Sequence, residues 1–211
     1  MLHRRHTGAL KPPLRPAPDT LTFAFMIQPQ SLAGRLLLAM PGMPDPRFEA
    51  AVVALCIHDK DGALGVGIGD VLDGVTLYNL LDDLDIPRGA APDVDVHHGG
   101  PVEPQRGFVL HSPDWQAEGT LAVGEHWALT GSRDVLVAIS EGRGPRHFLV
   151  ALGYAGWGEG QLDAEMHHHG WHAAEGRPAI LFDTPTDARW AQAWRAEGID
   201  PAHLTHETGR A

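Results

Sequence analysis

The amino-acid sequence predicts an α+β fold, a single compact domain built on a mixed β-sheet. Three observations carry that expectation. Short apolar runs are cut by glycine and proline turns, as at Leu36–Met40, Val52–Ile57 and Ala63–Ile68. Leu77, Leu80, Leu81 and Leu84 stand at helical spacing. Strand and helix patterns interleave too irregularly for a doubly wound parallel sheet.

In chain order, the three apolar runs read as buried strands, punctuated by Pro41-Gly42, Pro44 and Asp61-Gly62. The leucine stripe from Leu77 to Leu84 follows as an amphipathic helix. After a Pro/Ala/Asp loop, Gly107–Leu110 and Trp127–Leu129 read as strands. Ser132 is placed to cap a helix carrying Val135, Leu136 and Ile139, which Gly142 stops. Phe148–Leu152 is a further strand, ending at the small-residue turn Gly153–Gly158. A short helix with Leu162 and Met166 inward comes next, and Ile180–Phe182 reads as the last strand. Thr184-Pro185-Thr186-Asp187 then supplies a cap, a first-turn proline and an acid for a final helix bearing Trp190 and Trp194, ended by Gly198.

The chain has 211 residues, with 43% hydrophobic and 20% charged content, enough to bury a real core. Residues 1–25 are rich in proline and arginine without hydrophobic period and read as a disordered leader, with the domain over 26–211. Translation starting at Met26 is an alternative reading of the same segment, and a basic arm is another. The formal net charge is −11, and residues 1–16 hold Arg4, Arg5, Lys11 and Arg15 without an acid. The rest therefore sets 12 basic residues against 27 acidic ones, a body of −15. Such a body repels phosphate backbones and anionic membrane surfaces, so neither nucleic acid nor membrane is expected as a direct partner. The one cysteine, Cys56, admits no intramolecular disulfide, and no apolar run is long enough to span a bilayer. A cytoplasmic address is expected.

Fourteen histidines make metal chemistry worth testing, above all at His167-His168-His169-Gly170-Trp171-His172. Glu165-x-x-His168 has the spacing used in helical di-iron sites, but no second copy exists. His-Glu-x-x-His and paired Cys-x-x-Cys are absent as well, so solvated imidazoles at a helix end are the plainer reading. Strand alternation puts Cys56 and His58 on one face, where a thiol–imidazole pair is geometrically possible. A metal- or thiol-dependent enzyme using Cys56, His58, His98 or the His167–His172 region is thus the alternative to a protein without catalytic function. Gly99-Gly100 permits close backbone approach, to a ligand or to a neighbouring strand. The phosphate-loop, dinucleotide and hydrolase-elbow spacings are missing. The ligand-pocket candidates are His58, His98, Gly99, Gly100, Tyr154 and Trp157. No catalytic set, no metal ligands and no cofactor are assigned; a protein or small-molecule partner is expected.

Several segments together resemble the YqgE/AlgH family. They run from Ser31-Leu32-Ala33-Gly34-Arg35-Leu36-Leu37-Leu38-Ala39-Met40-Pro41 through Cys56-x-His58, His98-Gly99-Gly100-Pro101-Val102 and Thr130-x-Ser132-x-Asp134-Val135-Leu136. Gly153-Tyr154-Ala155-Gly156-Trp157-x-x-Gly160-Gln161-Leu162, Glu165, Trp171 and Phe182-Asp183-Thr184-Pro185 follow in order. The resemblance covers about residues 29–205. It implies an α+β fold in which a small closed barrel is surrounded by helices. It also implies a bacterial cytosolic protein of a kind described as transcriptional regulators on genetic association, with no catalytic residues to carry over. The sequence departs from the family pattern at Gly69-Asp70-Val71, Asp59 and His169; if those positions form a shared ligand site, its chemistry here is altered or lost.

Overall fold

The computed structural model describes residues 31–41, 43, 48–168 and 170–204. The leader expected over 1–25 lies outside them, as does His169. The described residues form one compact unit.

Ten strands and five α-helices alternate along the described chain. Strands β1 (Leu36–Ala39), β2 (Val52–Asp59), β3 (Gly62–Gly67) and β4 (Val71–Thr76) lead into helix α1 (Leu77–Asp83). Strands β5 (Asp95–His98), β6 (Val102–His111), β7 (Leu121–Val123) and β8 (Trp127–Thr130) precede helix α2 (Arg133–Ser140). Strand β9 (Phe148–Trp157), helix α3 (Gln161–His167) and strand β10 (Trp171–Ala174) come next. After a π turn over Ala179–Asp183, helices α4 (Arg189–Ala196) and α5 (Pro201–Leu204) end the described chain.

The sheet runs β10-β1-β2-β3-β9-β6-β8-β7, with β5 paired to both β4 and β9. Its described pairings are antiparallel except β5 with β9, so the mixed sheet expected from the sequence is present. The closed barrel is not. The sheet curls into an open half-barrel whose path ends at β10 on one side and β7 on the other. Both end strands are short, and no ladder joins them among the described residues. One buried cluster fills the hollow, from Leu36 and Val66 to Leu110, Trp127 and Ala174, and α4 plugs it with Ala193 and Trp194. Packing by a helix closes this core, where hydrogen bonds would close a barrel.

Two expected elements differ for physical reasons. Ile180–Phe182 is not a strand but part of a π turn, in which the Ile180 and Leu181 N–H groups both donate back to the Arg177 carbonyl, at 3.0 and 3.2 Å. Thr184 Oγ1 donates to the Ala179 carbonyl at 3.1 Å and ties off that π turn. Gly153–Trp157 is not a turn but the second half of β9, with Gly153, Ala155 and Trp157 facing inward. Its small residues serve close strand crossing: a side chain on Gly153 would fall onto the Gly100 carbonyl oxygen.

Candidate functional site

A cavity of about 660 Å³ lies between the end of β3, the segment after β5, and α4. Gly67 and Gly69 form one wall, and His98, Gly99 and Gly100 another. The walls are locked by backbone bonds, Gly67 N–H to Gly99 O at 2.7 Å and Gly99 N–H to Leu152 O at 2.8 Å. These glycines are required by packing. A Cβ on Gly99 would strike the Gly153 carbonyl, one on Gly100 (φ +148°) the Tyr154 backbone, and one on Gly67 the His98 carbonyl at 2.5 Å. Phe48 and Trp190 give the cavity aromatic surface, and Trp190 Nε1 is anchored to the Ala39 carbonyl at 3.0 Å. Among the described residues, the lining carries three carboxylates, Glu49, Asp70 and Asp187, and no lysine or arginine.

Behind this wall sits a buried cation. Arg189 is 4% exposed, and its Nη1 donates to the Ile68 carbonyl at 2.6 Å and faces His97 Nε2 at 3.4 Å. Among the described residues no carboxylate pairs with it, and its buried Nε has no acceptor. Burial lowers its pKa to about 10. His97 is held at about 4 by burial and then by the neighbouring guanidinium. The geometry fits a neutral imidazole whose Nδ1–H donates to the Asp70 carbonyl at 3.1 Å while Nε2 accepts from Arg189. The pair thereby holds the carbonyls of Ile68 and Asp70, which flank the lining residue Gly69. Sequence reasoning missed Arg189, although a cation in a helix's first turn opposes the macrodipole and signals another task.

The six candidates do not converge. His98, Gly99 and Gly100 line this cavity. His58 stands at the end of β2, where its Nδ1 accepts the Leu32 N–H at 3.0 Å and its Nε2 lies 3.6 Å from Asp163. Tyr154 donates its hydroxyl to Glu103 at 3.4 Å and sets its ring edge-on to Phe108. Trp157 belongs to a separate motif centred on Glu165. Oε2 of that carboxylate accepts both the Trp157 and Trp171 indole N–H groups at 2.9 Å, and Oε1 accepts Gln161 at 2.8 Å. Gly160-Gln161, Glu165 and Trp171 are thereby one structural unit, and Glu165 is spoken for.

The thiol–imidazole pair does not form. A register shift between Leu55 and Ile57 interrupts alternation in β2. Val52, Ala54, Cys56 and Ile57 all pack toward the half-barrel core, while His58 pairs with Ala63 of the opposite cluster. Burial pushes the Cys56 thiol up to about 12, outweighing the nearby Trp127 indole. A thiol so protonated is a core residue. At the histidine-rich segment, His168 Nδ1 contacts the Ala164 carbonyl at 2.7 Å, and His172 stacks on Trp194 at 4.7 Å. Among the described residues no three His, Cys, Asp or Glu side chains gather as a metal site.

The AlgH-like family model matches residues 36–202. A UPF0301 protein of Novosphingobium aromaticivorans is 61% identical over 88% of this chain and 100% of its own length. One from Rhizorhabdus wittichii is 56% identical over the same shares. Among solved structures, the solution structure of AlgH from Pseudomonas aeruginosa matches with a TM-score of 0.71 at 39% identity, covering 88% of this chain and 99% of that one. An X-ray structure of a Corynebacterium diphtheriae protein matches in fold, with a TM-score of 0.68 at 19% identity, over 87% and 96% of the two chains. With order, fold and identity in agreement across the domain, this chain belongs to the AlgH-like family.

Proposed function

We propose that this protein is a cytoplasmic regulator that works through a bound small molecule or a protein partner and does not contact nucleic acid directly. The observation that carries this reading is the cavity of about 660 Å³ beside α4, a volume ordinary for a small-ligand site. Its three described carboxylates, together with Phe48 and Trp190 in the lining, favour a flat organic cation, which gains from charge and from aromatic contact together. The −15 body supports the exclusion of DNA. In the described residues no helix is long and apolar enough to cross a membrane.

Two measurements on the full chain test this. Benzamidine, a flat aromatic cation, is expected to change Trp190 emission saturably, and Asp187→Asn is expected to weaken the response. A mobility-shift titration with duplex DNA at low salt is expected to show no complex. Tight, salt-sensitive DNA binding, or no response to benzamidine and related cations, would overturn the reading.

A further inference from the structure

A second cavity, of about 490 Å³, opens between α1 and α2 above strands β6 and β9, apart from the one beside α4. Its floor is a tile of two cross-strand pairs, Val109 with Val150 and Gly107 with Leu152. Val109 and Val150 are 2% and 1% exposed and Leu152 is half-buried, but the fourth position of the tile has no side chain. Alternation along β6 turns Gly107 to the face of Val109, where a Cβ would meet nothing closer than Leu152 Cδ2 at 3.9 Å. The backbone does not require a glycine there either, since the φ of Gly107 lies outside the left-handed region. In this Gly107 stands alone. At the other strand glycines among the described residues, Gly62, Gly65, Gly67, Gly74, Gly153 and Gly156, a left-handed φ or an atom within 3.2 Å of the Cβ position disfavours a side chain. A glycine inside a strand costs stability relative to alanine, and where neither conformation nor crowding asks for it, close approach of another molecule to the backbone is the use left for it. Leu80 and Leu84 from the α1 side and Leu136 from α2 line the same cavity; none is fully buried, and Leu84 is 43% exposed. Apolar walls around a floor that stops one side chain short suit a ring laid flat on the strand. The rim carries one charge of each sign, Asp83 and Arg133, both exposed, and Arg133 is tethered at 2.8 Å by its Nη2 donating to the Leu84 carbonyl. Neither sign is favoured in a ligand, and the apolar floor penalises both.

We propose that this cavity binds a neutral, flat ring molecule that lies on the Gly107 backbone and packs against Leu80, Leu84, Leu136 and Leu152. The probe is indole titrated into the full chain, followed through the leucine and valine methyl resonances. Saturable shifts are expected at Leu80, Leu136, Leu152 and Val150. Gly107→Ala adds the missing methyl group and is expected to weaken indole about tenfold, the scale of one misfitting methyl group in a packed site. The same variant is expected to melt about 1–4 °C higher than the wild type, because the strand gains by losing its glycine. Leu84→Glu, at an exposed position that tolerates charge, is expected to weaken indole as well. Tryptamine and indole-3-acetate, which put opposite charges on the same ring, are expected to bind more weakly than indole. Absence of saturable shifts, indole binding that survives either substitution, or a lower melting temperature in Gly107→Ala would each overturn the proposal. So would tighter binding of either charged ring, or the same shifts on raising the protein concentration alone, which would make the cavity a contact between copies of this chain.

Discussion

His97 is the residue where environment speaks most directly to behaviour. The folded protein holds it neutral, at about 4, because a proton there would sit buried beside Arg189, whereas an unfolded histidine titrates near 6.5. Its contribution is thus complete above about pH 6.5 and is lost as pH falls toward 4, a change of about 3 kcal/mol at most. Buried His111, also lowered by burial, acts in the same direction. Urea unfolding from pH 7.5 to 4.5 is expected to show a flatter slope in His97→Gln than in the wild type; identical slopes would contradict the buried-neutral assignment. Glu165 makes a second residue-scale case. Glu165→Gln removes charge from an acceptor serving two indoles, and a loss of about 1–3 kcal/mol is expected in chemical denaturation followed by tryptophan emission. An unchanged midpoint would show that the carboxylate does not bind the motif together.

At the scale of elements, the glycines between β5 and β6 decide how closely the sheet can fold over itself. Gly100→Ala would place a methyl group on the Tyr154 backbone in a conformation that L-residues rarely adopt. A cost of about 3 kcal/mol or more is expected in thermal unfolding. Gly74→Ala, where nothing lies within 4 Å, is expected to be far milder despite its positive φ. Equal effects would mean that conformation, and not crowding, dominates. The elements most legible in the sequence were those with strong period, such as the Leu77–Leu84 stripe and the strands that became β1 to β3. Strands β4, β7 and β10 were not legible, being short or interrupted by polar residues such as Asp73 and His172. The candidate site was legible only at His98-Gly99-Gly100. The Cys56–His58 pairing failed because one bulged residue reverses which way a strand's later side chains point, and no local pattern in VALCIHD announces it. The acids of the α4-side wall lie far apart in sequence, so only the folded chain brings Glu49, Asp70 and Asp187 around one volume.

For the whole molecule, charge and topology set the terms. A net charge of −11 works against compaction through self-repulsion, so the melting temperature is expected to rise as sodium chloride is increased from low ionic strength to about 0.15 M, where the screening length is about 8 Å. A flat or falling response would show that the ion pairs outweigh the excess of acid. The half-barrel core, spanning β1 to β10 and plugged by Trp194, makes the domain one cooperative body. That arrangement has a consequence for how the protein comes into being. Strand β1 is fully buried, and it lies between β2, which follows it closely, and β10, which pairs Leu36 with Ala174 and Ala39 with Trp171. During synthesis, the first strand of the sheet therefore waits with one edge open until nearly the whole domain has left the ribosome. The nascent chain must carry an unpaired, wholly apolar LLLA edge for most of its translation, which makes that edge the natural point for a chaperone to hold.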